Sequence, residues 1–238
     1  MTLQPERATL TMAGVAEGAR LTLPLFPGVI VFAAAFGAAA AQKGLGVFEA
    51  VAMSGFVFAG AAQLVALEMW TADWTPWAIL TVTAVTAAVN LRFFLMGAAL
   101  RPWFAELPSA GKRYGMLATL TDANWLIAMQ YRAAGGSDVG IFFGGGLALW
   151  AIWTLATAPG WFLGALIDDP KRFGLDLILP IFFAMMIVPL WRGGRDKLAW
   201  VVTAVVALGV HLLAGGYWFI VAGALAGSVA AAFSEDDR

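Results

Sequence analysis

Cysteine is absent from this 238-residue chain, and histidine occurs once, at His211. Disulfides and thiolate metal sites are therefore excluded, and a histidine-rich metal centre lacks its ligands. Charge is scarce as well: Asp, Glu, Lys and Arg make up 12% of the residues, against about a quarter in soluble domains. The formal net charge of −1 offers no basic excess for nucleic acid, which is not expected as a partner. The sequence has no Walker A loop, no Gly-x-Ser-x-Gly and no His-Glu-x-x-His. ATP binding of that kind and membrane hydrolysis therefore have no constellation to carry them, and no enzyme activity or cofactor is expected.

Apolar sequence is what the chain has in abundance, at 61% of residues. Leu21 to Ala41 carries no charge, nor does Val139 to Ile167, and from Leu198 to Ser234 there is no Asp, Glu, Lys or Arg, and His211 is the one histidine. A run of about 18 or more apolar residues can span a bilayer. The reading is an all-α, polytopic integral membrane helical bundle of about 7–8 hydrophobic segments, at 21–42, 48–70, 76–100, 114–131, 139–167, 173–191, 198–213 and 216–233. The last two are divided at Ala214-Gly215-Gly216, because the run is too long for one crossing. Residues 1–20 read as a polar N-terminal segment, 21–233 as one transmembrane transport domain and 234–238 as a polar tail. Leu10, Met12, Ala13, Ala16 and Ala19 with Glu17 and Arg20 predict a short amphipathic helix at the membrane surface. A cleaved signal peptide is not expected, since no charged leader precedes a short apolar stretch.

Pro24, Pro27 and Gly28 predict a broken first helix, and Pro180 and Pro189 a similar break in the sixth segment. Broken helices in membranes line enclosed cavities, because freed backbone groups need partners. Leu23-Pro24 to Ala59-Gly60 and Leu179-Pro180 to Ala214-Gly215 span similar distances, a weak internal repeat unless composition alone explains it. Lys and Arg divide evenly between the two sides of an eight-crossing topology, so they assign no orientation.

A few polar residues inside the apolar runs need an explanation. Gly55, Ala59 and Gln63 are four apart and predict one helix face, either a packing seam with one interhelical hydrogen bond or a wall from which Gln63 meets a solute. Asn90 and Arg92 stand two apart near the end of the third segment, on different faces. Arg92 either snorkels to the interface or pairs with Asp122, read as lying mid-helix in the fourth segment. That pair would be architectural, or Asp122 would exchange a proton during transport; Asn124 would support the carboxylate or touch solute. Glu68 and Asp176 read as reaching water, and His211 as a packing residue. Gly140/Gly144 and Gly160/Gly164 fit helix contacts, and Trp70, Trp74, Trp77, Trp103 and Trp191 fit interface anchors.

These stretches together resemble the AzlC family, the large subunit of bacterial branched-chain amino acid exporters. The resemblance rests on the Pro- and Gly-containing first segment, and on Met53-Ser54-Gly55 continuing into Phe58-Ala59-Gly60-Ala61-Ala62-Gln63. It extends to Asn90-Leu91-Arg92, Leu95-Met96-Gly97-Ala98-Ala99-Leu100 and Thr121-Asp122. It implies a multi-pass permease of the bacterial inner membrane, exporting branched-chain or similar small apolar amino acids with a small hydrophobic AzlD-type subunit. Two departures stand out: Phe93 where the family usually has a histidine, and Ala123 where an acid often follows the aspartate. They bear on which solute is carried, and a different small solute or a non-transporting membrane scaffold are the alternatives. Alternating access driven by an ion gradient is the mechanism expected. The substrate-binding or pathway residues expected are Pro24, Pro27, Gly28, Gly60, Gln63, Asn90, Arg92, Asp122 and Asn124, with no metal.

Overall fold

A computed structural model describes residues 8–107, 109–166, 172, 174, 177 and 197–235, with 234 and 235 described by backbone alone. Ten α-helices form among them. They are α1 (Met12–Thr22), α2 (Phe26–Gln42), α3 (Val47–Val57), α4 (Gly60–Glu68), α5 (Pro76–Phe104), α6 (Ala110–Leu117), α7 (Asp122–Ala133), α8 (Gly140–Ala165), α9 (Lys197–Ala214) and α10 (Trp218–Glu235). No strand forms among the described residues beyond an isolated parallel bridge between Thr9 and Asp138. Among the described residues four helical runs are long and apolar enough to cross a membrane: Met12–Gln42, Pro76–Phe104, Gly140–Ala165 and Lys197–Ala214. Val47–Val57 and Trp218–Phe233 are apolar but shorter.

Several expectations change. Pro24 and Pro27 do not break the first segment: Leu23–Leu25 tightens into a 3₁₀ turn, and helix runs on through both prolines. Each proline sits in the first turn of its element, where its missing N–H costs little. The expected surface helix is α1, but it is the start of the same run and packs on α8 through Val15, Gly18 and Thr22. The second segment is not one helix: α3 ends at Phe58, whose backbone is left-handed at φ 39°, so Gly55, Ala59 and Gln63 do not share a face. The fourth is also interrupted, between Leu117 and Asp122. There Thr121 caps α7: its hydroxyl accepts from the Asn124 N–H at 3.3 Å while the Asn124 side chain accepts from the Thr121 N–H at 2.7 Å. The division of the last run stands, with Gly215 and Gly216 both at φ 63° in the turn between α9 and α10. The sixth segment, with Asp176, Pro180 and Pro189, and hence half of the suggested repeat, lies outside the described residues.

The chain divides into two compact units, 1–63 with 91–170, and 64–90 with 171–238. In the first, α8 lies along the α1–α2 run at backbone contact. A Cβ on Gly144 would strike the Val15 backbone, one on Gly160 the Ala34 backbone, one on Gly37 the Thr157 carbonyl, and one on Gly18 the Ile141 carbonyl. Small residues permit this approach, which lets dispersion act between whole helices without a hydrophobic driving force in lipid. A second cluster gathers Leu100, Trp103, Phe104, Met116 and Phe142, with Phe104 and Phe142 ring centroids 5.2 Å apart. In the other unit α10 packs on α9, with Gly223 against Ala207 and Gly227 against Thr203. The Tyr217 hydroxyl donates to the Glu68 carbonyl at 3.1 Å, beside an open cavity of about 360 Å³ lined by Met69, Trp77, Thr81 and Trp218.

Candidate functional site

The interruption between α3 and α4 is built from both of its ends. On the α3 side the Trp150 indole donates to the Gly55 carbonyl at 2.8 Å. The Ser54 and Thr157 hydroxyls bond each other at 2.7 Å, and Thr157 also donates to the Trp153 carbonyl at 2.9 Å. A left-handed Phe58 costs about 1–2 kcal/mol relative to a right-handed residue, so these contacts hold a bend that local sequence resists.

On the α4 side the first intrahelical bond runs from the Gln63 N–H to the Ala59 carbonyl at 2.9 Å. The N–H groups of Gly60, Ala61 and Ala62 precede that ladder and have no partner within the helix. Gly60 is required by packing: its Cβ would lie 2.7 Å from the Trp153 ring and 3.1 Å from Phe32. Trp153 meets Phe32 edge-on at 5.2 Å and stacks on Phe36 at 6.2 Å. Gln63 is fully buried, and neither Nε2 nor Oε1 has a hydrogen-bond partner among the described residues. Trp153 Nε1 and Thr154 Oγ1 are buried and likewise have no hydrogen-bond partner among the described residues. Each unpaired buried group costs about 1–3 kcal/mol, so the cluster is costly as it stands.

The second polar feature is an ion pair. Arg92 on α5 lies 3.2 Å from Asp122, with side-chain exposures of 27% and 43%, and its guanidinium is 5.1 Å from the Phe93 ring. Asp122 is the first residue of α7, not a mid-helix residue, so the helix's positive end supports its charge in addition to Arg92. Neither side chain snorkels free of the other.

The remaining expected residues are dispersed. Asn124 is consumed in structure: its amide donates to the Thr119 carbonyl at 2.9 Å and the Phe142 carbonyl at 3.2 Å, and its oxygen accepts from Thr121. Asn90 has a buried Oδ1 with no partner among the described residues. Pro24, Pro27 and Gly28 are exposed, and nothing approaches the Cβ position of Gly28 within 4 Å. The geometry thus joins Gly60 to Gln63, and Arg92 to Asp122, and does not place the proline pair with either. Trp150, Trp153, Ser54 and Thr157 escaped sequence reasoning. One signal was available: both tryptophans sit inside the charge-free 139–167 run, away from the segment ends where anchoring tryptophans belong.

Comparison with known proteins gives one match. A family model described as AzlC protein matches residues 24–167, more than half of the chain. That range includes both helix interruptions, the ion pair and the Gly60–Gln63–Trp153 cluster. No curated protein and no solved structure matches.

Proposed function

The chain belongs to the AzlC family, a transporter family associated with branched-chain amino acid transport, and from that premise we propose that it exports branched-chain or similar small apolar amino acids. The observation carrying this reading is the family match over 24–167, together with helices long and apolar enough to cross a bilayer. The protein works as a multi-pass permease of the bacterial inner membrane, by alternating access driven by an ion gradient, with a small hydrophobic AzlD-type subunit. Its pathway uses Gln63 as a polar position within an apolar route, with Gly60 one turn before it and the Arg92–Asp122 pair bordering it. The Arg92–Asp122 pair is architectural, fixing α5 against α7. An apolar pocket separates neighbouring aliphatic side chains by only about 1–3 kcal/mol per methylene, so leucine, isoleucine, valine and methionine share the route.

The test is efflux of radiolabelled amino acids from proteoliposomes holding the chain with its small subunit. Efflux of the apolar panel above that of charged amino acids is the expected result. Absence of leucine, isoleucine, valine and methionine efflux rejects it. Phe93 and Ala123, the two departures from the family resemblance, favour a second reading in which a different small solute is carried. The same panel, widened to other solutes, separates the two, and no flux of any solute would indicate a scaffold.

A further inference from the structure

Three kinds of polar group stand around the start of α4. The backbone N–H groups of Gly60, Ala61 and Ala62 stand at the positive end of this nine-residue helix. Gln63 follows one turn later, and helical side chains lean back toward the N-terminus, which carries its buried, unpaired amide toward those donors. The Trp153 indole, whose ring rests on Gly60, adds a buried and unpaired N–H. On the α3 side the Trp150 indole takes up the Gly55 carbonyl, and the Ser54 and Thr157 hydroxyls bond each other. The rings of Phe32, Phe36 and Trp153 supply an apolar wall beside the polar groups.

We infer that this interruption is a solute site for the head of a zwitterionic α-amino acid. The carboxylate faces the α4 N-terminus and accepts from Gln63 Nε2 and Trp153 Nε1. The ammonium donates to Gln63 Oε1, and an aliphatic side chain lies against Phe32 and Phe36. The chemistry matches in kind: a carboxylate needs several donors, an ammonium needs an acceptor, and the helix end favours negative charge. The groups around the break are neutral, which suits a solute whose two charges cancel and requires no buried ionised side chain to be left unpaired once it departs. The identity of the solute rests on the transport reading; the existence of the site does not. An ordered water is the other occupant such groups can hold, and the experiment separates the two.

The test uses the full chain together with its small subunit, in lipid nanodiscs with radiolabelled leucine for binding and in proteoliposomes for flux. Wild type is expected to bind leucine, and leucinamide, which lacks the carboxylate, to compete about tenfold less well. Gln63→Leu and Gln63→Met are expected to weaken leucine binding about tenfold or more, and to narrow its preference over leucinamide. Trp153→Phe keeps an aromatic ring but loses both the donor and the indole edge against Gly60, and is expected to weaken binding by a smaller factor. Unliganded Gln63→Leu is expected to melt no lower than wild type, since it replaces an unpaired amide with an apolar group. Wild-type leucine affinity in both Gln63→Leu and Trp153→Phe would mean that water alone fills the break, and would overturn the inference. So would failure of the wild type to bind leucine. Leucine binding that Gln63→Leu abolishes, with no flux in wild type, would reject the export reading while upholding the site. Should Gln63→Leu fail to fold, Trp153→Phe decides.

Discussion

Gly160→Ala and Gly97→Ala make the same chemical change in two helices and are expected to move stability in opposite directions. In a helix interior alanine is favoured over glycine by about 0.8–1 kcal/mol. Gly97 on α5 has nothing within 4 Å of its Cβ position, so Gly97→Ala should collect that gain in full. Gly160 on α8 faces the backbone of Ala34, and a methyl there would overlap Cα, C and O of that residue. Backbone cannot swing aside as a side chain can, so the full overpacking penalty applies, typically about 1–3 kcal/mol. The net expected for Gly160→Ala runs from near zero to about 2 kcal/mol of destabilisation. Subtracting the Gly97→Ala value removes the propensity term and leaves the cost of separating α2 from α8. At about 2–4 °C per kcal/mol for a chain of this size, the variants should melt roughly 2–12 °C apart in the same detergent. Equal melting temperatures, or Gly160→Ala the more stable, would refute backbone contact between α2 and α8.

Three further outcomes follow from named contacts. Arg92→Ala and Asp122→Ala should each impair folding or export, with the double variant recovering part of the loss; for a half-exposed pair the coupling is about 0.2–1 kcal/mol, read from a double-mutant cycle, and zero coupling would dissolve the pair. Asn124→Ala should destabilise by about 1–3 kcal/mol in chemical denaturation, because it strands the Thr119 and Phe142 carbonyls, and should exceed Thr121→Ala, a cap loss of about 0.5–2 kcal/mol. Phe58→Gly should be more stable than Phe58→Ala by about 1–2 kcal/mol, reversing the usual helix order, because only glycine adopts the left-handed conformation without strain; the reverse order in thermal melts would deny that Phe58 is left-handed.

The sequence made membrane-length helices legible because apolar run length is a local property, and the charge-free stretch 139–167 became α8 almost residue for residue. The Arg92–Asp122 pair was legible for a related reason: two scarce opposite charges in apolar surroundings have few other partners. The interruptions were not. Prolines drew attention to Pro24 and Pro27, yet proline in a first turn is compatible with helix, and the chain runs straight through. The real interruption falls at Phe58, a residue with no intrinsic leaning toward left-handed backbone; tertiary hydrogen bonds from Trp150 and Thr157 impose it. The Leu120-Thr121-Asp122-Ala123-Asn124 interruption could have been found, since Thr-x-x-Asn mimics a capping box, but the surrounding hydrophobicity masked it. Gln63 stood out as a polar residue at depth, whereas Trp153 passed unnoticed as one aromatic among many.

The joint at Phe58 makes the stretch from Val47 to Glu68 a spring held by its neighbours. Local backbone energetics favour a straight rod, long enough to cross hydrocarbon, and the Trp150 indole and the Ser54–Thr157 latch help to hold the bend against it. Releasing either clasp tips this stretch toward unbending, and straightening would fold the loose donors of α4 back into a continuous ladder.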